Sequence, residues 1–170
     1  MREKDNWELI KKTHDLDQDT DALIQQRTGV YMDILKQNLV PQPGLTDLLK
    51  LLERHGIKMA VASSSTPEQI EIVLEGLQVA NFFDVVVSAH TIAHGKPAPD
   101  IFLLAAKQLG VDAKDCVVFE DAQSGVEAGR AAGAKVVAVP NAFTKSHDHS
   151  KADIVVRSLE DIDWEMLSSL

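Results

Sequence analysis

The sequence predicts an α/β fold: a parallel sheet layered between helices, with a helical appendage in front of it. Three observations carry that prediction. The apolar runs Val85-Val86-Val87, Cys116 to Phe119 and Val136 to Val139 are continuous rather than alternating, as in strands buried on both faces. Helical periodicity lies between these runs, and strands separated by helices of this size imply right-handed crossovers and a parallel sheet. Pro41 and Pro43 interrupt the chain just before the alternation begins, which sets a boundary between residues 1–40 and a main domain over 41–170.

Each element has its own signal. Residues 1–40 read as helical: Trp7 and Ile10 form a short apolar patch, and Ile24, Tyr31, Ile34 and Leu35 fall near helical spacing behind a start at Asp19-Thr20. Leu45, Leu48, Leu49 and Leu52 make one helical face, which Gly56 stops. Ile57 to Ala62 reads as a strand running into Ser63-Ser64-Ser65. Thr66-Pro67 then opens a helix with Ile70, Val73, Leu74 and Leu77 on its face. A strand over 84–88 follows, then a helix begun by Pro99-Asp100 and stopped at Gly110. Beyond it come the Cys116 strand, a helix over about 124–132, a strand over 135–139, a short strand near 154–156 and a last helix.

Composition bounds the function. A chain of 170 residues with 45% hydrophobic and 25% charged content can bury a real core. Its net charge of −9 argues against nucleic acid or an anionic membrane as partner. No apolar run is long enough to span a bilayer and no secretory signal opens the chain. The lone Cys116 reads as a small core residue, and the chain as cytoplasmic.

Chemistry concentrates at three predicted strand ends. The Cys116 strand ends in Glu120-Asp121, followed by the small-residue turn Ala122-Gln123-Ser124-Gly125. In open parallel sheets ligands bind outside the carboxyl ends of the strands. There an acidic pair suits Mg²⁺, which takes one or two carboxylates plus phosphate oxygens; the alternative is that Glu120 ends the strand and Asp121 caps the next helix. Ser63, Ser64 and Ser65 offer hydroxyls and free amides to a phosphate, or simply an N-cap. Gly95-Lys96-Pro97-Ala98-Pro99 mounts Lys96 on a stiff loop, where its ammonium can neutralise a phosphoryl group as a point charge. If the three ends share one sheet edge, they bring together anion donors, a cation and a metal site, the equipment of phosphoryl transfer.

With these residues in place, the chain resembles the haloacid dehalogenase superfamily of phosphohydrolases, most closely the subgroup of beta-phosphoglucomutase and small sugar-phosphate phosphatases. The matching stretches are Pro43-Gly44, Ile57 to Ser65, Phe82-Phe83-Asp84, Gly95 to Asp100, Val117 to Gly125 and Ala131 to Asn141. The resemblance implies a three-layer, Rossmann-like core preceded by part of a helical cap at residues 1–40. It implies Ser63 as the phosphate-binding hydroxyl with Ser64 assisting, Lys96 as the third-motif lysine, and Glu120 and Asp121 as Mg²⁺ ligands. Ser63 and Lys96 would thus be catalytic, and the substrate a small phosphorylated metabolite of the sugar-phosphate type.

One departure is large. The family's first motif, an apolar strand ending in Asp-x-Asp with the nucleophile first, has no match. Asp15-Leu16-Asp17-Gln18-Asp19-Thr20 imitates it only superficially, because Lys11-Lys12-Thr13-His14 before it is no buried strand. In the family that strand is central, between those carrying Ser63 and Glu120. Its loss would leave unpaired backbone groups in the sheet. Either the two flanking strands pair directly, or a homo-oligomer or partner chain fills the gap; a third reading is a truncated product that survives by association, and an open slot in an isolated monomer contradicts this account. By itself the chain is expected to turn over little or nothing. The alternative is a non-catalytic binding protein that retains the phosphate and metal half-site.

The remaining signals read as structural. Gly125, Gly129 and Gly133 recur at four-residue spacing with Glu127 and Arg130 between them, which suggests close helix–sheet packing rather than a membrane dimer face. His147-Asp148-His149 reads as solvated loop, and His90 and His94 flank the Lys96 loop. A signalling receiver domain shares these residue types, but its acidic pair comes early and its lysine last, unlike the order here.

Overall fold

The computed structural model describes residues 3–170, with side chains from Trp7 onward. The chain divides into two compact units, Met1–Leu39 and Val40–Leu170. In the first, α1 (Glu3–His14) and α2 (Thr20–Gln37) form a helical hairpin. Asp19 caps α2 by accepting from the Ala22 amide at 3.0 Å. The buried Thr20 hydroxyl accepts from Lys11 Nζ and donates to Glu8. Much of the expected apolar stripe stays exposed, Ile10, Tyr31 and Ile34 among it.

The second unit alternates helix and strand. Its elements are α3 (Leu45–Arg54), β1 (Ala60–Ser63), α4 (Pro67–Gly76), β2 (Val85–Ser88) and α5 (Asp100–Leu109), then β3 (Val117–Glu120), α6 (Gln123–Ala131), β4 (Lys135–Ala138), β5 (Ile154–Val155) and α7 (Trp164–Ser168). All pairings are parallel: Ala60 lies opposite Val85, Val117 opposite Lys135, and Val137 opposite Ile154. The expected α/β class is the one observed. Strand β4 shows why its run is apolar throughout: Val136 and Ala138 enter a cluster with Ile101, Val118 and Val126, while Val137 enters another with Leu48, Val156 and Ile162. Both faces of the sheet are therefore covered.

Local chemistry moves some boundaries. The first strand begins at Ala60, not Ile57, because the Ile57 amide donates to Leu52 O and closes the end of α3. Met59 and Asp84 then clamp the strand starts together: the Asp84 amide donates to Met59 O, and the Met59 amide to the Asp84 carboxylate, both at 2.9 Å. The three spaced glycines do three jobs. A Cβ on Gly125 would overlap the Glu120 carboxylate, one on Gly129 would lie 2.8 Å from Val136, and Gly133, at φ +85°, ends α6 in the left-handed region.

The sheet is split. The strands form a two-stranded sheet, β2-β1, and a three-stranded one, β3-β4-β5. Direct pairing of β1 with β3, one of the two compensations expected from sequence, does not occur. Instead a cavity of about 760 Å³ opens between them, lined by apolar groups of α3, α5 and α7 as well as by both strands. Among the described residues no strand lies between them in either sheet. This open slot in the single chain runs against the expected compensation, since among the described residues neither direct pairing of β1 with β3 nor another strand fills it.

Candidate functional site

The carboxyl ends of β1 and β3 border one pocket of about 460 Å³, lined by Ser63, Ser64, Lys96, Glu120 and Asp121 together with Ala122 and Ser124. Ser63, Ser64, Lys96, Glu120 and Asp121, all singled out from sequence for phosphate or metal, thus meet in one place, while Ser65 does not line the pocket. Convergence follows from topology: β1 and β3 run parallel to their partners, and α5 is entered through the Lys96 loop.

The serine turn is pinned on both sides. Ser63 Oγ accepts from the Ser65 amide at 3.1 Å, and the Ser65 carbonyl accepts from the buried Ser88 hydroxyl at 2.6 Å. The N-cap of α4 is Thr66, in a reciprocal capping box with Gln69. No serine is used to cap that helix, which disposes of the N-cap alternative for Ser63 to Ser65.

Lys96 is largely enclosed, its side chain 13% exposed. The ammonium donates to Ala62 O at 3.3 Å, pairs with Glu120 Oε1 and sits 4.8 Å from the centre of the Phe102 ring. It therefore spans the slot, touching the end of β1 and the end of β3. Glu120 in turn lies over the Gly125 backbone, in space that any side chain there would fill.

Asp121 does not cap α6; the N-cap is Ala122, with no side-chain bond, so the first amides of that helix are left for other acceptors. The Asp121 carboxylate is held by Asn141, whose Nδ2 donates to Oδ2 at 2.6 Å. Asn141 is itself fixed, its Oδ1 accepting from the amides of Phe143 and Thr144. His149 Nε2 donates to the Asp121 carbonyl at 2.8 Å. Asn141 and His149 are the support that sequence reasoning missed. Asn141 closes the stretch Ala131 to Asn141 just past β4, whereas His149 lies in the loop before β5 with no signal of its own, and His147-Asp148-His149 is not wholly solvated as expected.

Among the described residues no group of three or more His, Cys, Asp and Glu side chains gathers as a metal cage. Two adjacent carboxylates are nevertheless the usual protein share for Mg²⁺, whose other positions go to water and phosphate oxygens. The donor set fits that ion in company with a phosphate.

The other candidates lie elsewhere. His94 pairs with Asp100 at 2.9 Å and is well exposed; hydrogen bonding and the charge of His94 hold the Asp100 carboxyl lower than usual. His90 turns to Ser88. Burial pushes the Cys116 thiol up, as do Asp115 and Asp112 nearby, which suits a packing residue and not a nucleophile. Asp15, Asp17 and Asp19 occupy the turn between α1 and α2, where Asp19 serves as helix cap. No helix among the described residues is long and apolar enough to cross a membrane.

Comparison with known proteins agrees with this architecture. Residues 1–139 match the family model of the haloacid dehalogenase-like hydrolases. A fructose-1-phosphate phosphatase of Escherichia coli (strain K12) is 39% identical over 137 residues, 78% of this chain and 71% of that protein. Beta-phosphoglucomutase of Bacillus subtilis (strain 168) is 37% identical over 147 residues, 85% of this chain and 62% of its own length. A putative beta-phosphoglucomutase from Thermotoga maritima, whose crystal structure is known, superposes with a TM-score of 0.82 at 24% identity, covering 100% of this chain and 79% of that one. The chain spans only part of such relatives: 33%, 71% and 60% of three of them.

Proposed function

The chain belongs to the haloacid dehalogenase-like hydrolases, in the subgroup that includes beta-phosphoglucomutase and sugar-phosphate phosphatases, and we propose that it carries the phosphate-binding and Mg²⁺-binding half of a phosphoryl-transfer site for a small phosphorylated metabolite of the sugar-phosphate type. The observation that carries the proposal is the meeting of Ser63, Ser64, Lys96, Glu120 and Asp121 at one pocket.

In this reading the phosphoryl group sits between the serine turn and Lys96. The Ser63 hydroxyl and the Ser64 amide donate to two of its oxygens, and the Lys96 ammonium offsets charge that builds on them in the transition state. Glu120 and Asp121 would hold Mg²⁺, which would supply electrostatic stabilisation to the phosphoryl oxygens. Asn141 keeps the Asp121 carboxylate turned to the pocket, and Glu120 keeps Lys96 from swinging into solvent. An aspartate carboxylate attacks phosphorus in line, and the phosphorus–oxygen bond to the sugar breaks as the second aspartate of the same motif protonates the leaving oxygen. Water or a second substrate, giving its proton to that now ionised second aspartate, then takes the phosphoryl group from the first. We assign that nucleophile to a segment other than Asp15 to Thr20, which forms the turn between α1 and α2 and the first residue of α2.

Titration calorimetry with inorganic phosphate tests the half-site without requiring turnover. Phosphate binding should strengthen when Mg²⁺ is present, fall at least about tenfold in Lys96→Ala, and lose its Mg²⁺ dependence in the Glu120→Ala, Asp121→Ala double variant. Phosphate affinity equal in all three proteins would refute the assignment.

A further inference from the structure

We infer that Gln42 is a specificity-determining residue of this pocket: its carboxamide binds a hydroxyl of the group that carries the phosphate. It thereby selects phosphate esters of neutral polyols over esters with a second anionic group beside the first. Gln42 has this part only if the phosphate is seated as proposed above.

The pocket holds more than the phosphate and metal groups need. At about 460 Å³ it falls in the range that encloses a small organic ligand rather than a lone ion. Ser63, Ser64 and Lys96 are given to the phosphoryl oxygens, and Glu120 and Asp121 to the metal. Two polar side chains of the lining then remain, Gln42 and Ser124. Neither has a hydrogen-bond partner among the described residues. Neither caps a helix, since the N-cap of α3 is Gly44 and that of α6 is Ala122. Both are neutral, and each can donate as well as accept. A hydroxyl needs that combination.

Gln42 is exposed and so open to a ligand, yet its backbone is fixed. Pro41 and Pro43 flank it and set φ on either side. The Gln42 carbonyl accepts from the Leu45 amide at 3.1 Å, and the Pro43 carbonyl accepts from the Ser158 hydroxyl at 3.4 Å. Gly44, at φ +85°, packs directly on the backbone of 159–160. A Cβ there would stand 2.5 Å from the Glu160 nitrogen and 2.8 Å from the Leu159 carbonyl carbon. Leu159 lines the same pocket. The turn is thus fastened to the pocket's own wall, and a side chain held this way can discriminate between ligands, because little ordering is left to be done on binding.

Charge decides what Gln42 rejects. Lys96 is the one cationic side chain in the described lining, and it is paired with Glu120 and engaged by the phosphate. A second phosphate or a carboxylate on the substrate would exchange water for a carboxamide with no cation behind it. A hydroxyl loses little, because Gln42 replaces the water it gives up.

The test is titration calorimetry on the 170-residue chain with Mg²⁺. The ligands are inorganic phosphate, glycerol 3-phosphate and 3-phosphoglycerate, which has a carboxylate where glycerol 3-phosphate has a hydroxymethyl group. The parent chain should bind glycerol 3-phosphate at least about fivefold more tightly than 3-phosphoglycerate. In Gln42→Ala the ratio of glycerol 3-phosphate affinity to phosphate affinity should fall about fivefold, the loss of one neutral hydrogen bond. In Gln42→Arg the order of the two esters should reverse, because a guanidinium pairs with the carboxylate. Loss of both affinities by one factor in Gln42→Ala, the mark of a merely structural residue, would overturn the inference. A Gln42→Arg chain that keeps the parent's order would overturn it too. Phosphate binding that ignores Lys96→Ala defeats the half-site reading and the role of Gln42 with it. Phosphate binding that depends on Lys96, with ratios indifferent to both Gln42 variants, defeats the role of Gln42 alone.

Discussion

Strands β1 and β4 are each four residues long and lie in parallel ladders, yet their environments differ. Strand β4 is paired on both edges, and Val136, Val137 and Ala138 are fully buried. Strand β1 is paired on one edge, and none of its residues is buried. The difference lies in the neighbours rather than in the apolar character of the runs, Ala-Val-Ala-Ser against Lys-Val-Val-Ala. The complete half of the sheet carries Glu120 and Asp121, the incomplete half carries Ser63, and the discontinuity passes through the candidate site. Lys96 is the side chain that bridges it.

Four substitutions break or sharpen that contrast. Ile101→Ala removes a fully buried side chain from the cluster shared by Val87 of β2 and Val118 of β3. It should cost about 3 kcal/mol by urea denaturation. A loss under half of that would mean the cluster does not join the two flanks. Val137→Ala, in the complete half, should cost about 2 kcal/mol, and Val61→Ala, half-buried in β1 of the incomplete half, under about 1 kcal/mol. Equal costs would erase the distinction between the halves. Asn141→Ala should lower Mg²⁺ affinity about tenfold, measured with inorganic phosphate present, because Asp121 loses the donor that orients it. Unchanged affinity would leave Asn141 a loop residue only.

The smallest effect concerns Asp153, which ties β4 to the strand after it. Burial by itself would raise its carboxyl, but the Val136 amide and the charges of Arg130 and Lys135 outweigh this and hold it lower than usual. The folded value lies below the unfolded one, so the stabilisation is complete above the ordinary aspartate range and is lost as pH falls through the folded value. Asp153→Asn should cost about 1 kcal/mol at neutral pH and flatten the acid limb of a stability–pH profile. An acid limb identical to that of the parent chain would count against it.

Much of the fold was legible because the runs around Val86, Val118 and Val137 are buried on both faces and separated by helix-length intervals. The site residues were legible because Ser63, Lys96 and Glu120-Asp121 each follow a strand and carry chemistry that makes sense together. The rest lay in contacts that sequence spacing does not encode. Asn141 reaches Asp121 across 20 positions and His149 across 28, through a loop with no periodicity. Ile57 looks like strand from its side chain, but its amide is already used by the end of α3. The slot was half-legible: a gap was expected from the unmatched first motif, while whether β1 and β3 would close over it depended on the width that α3, α5 and α7 hold open.

Phosphate release by the 170-residue chain alone, with Mg²⁺ and a panel of small sugar phosphates, tests the half-site account most directly, with the Glu120→Ala, Asp121→Ala variant as blank. The account predicts release no greater than that of the blank. Mg²⁺-dependent release that the variant loses would contradict it, by placing a nucleophile within these residues and making Asp15, Asp17 and Asp19 the first to replace.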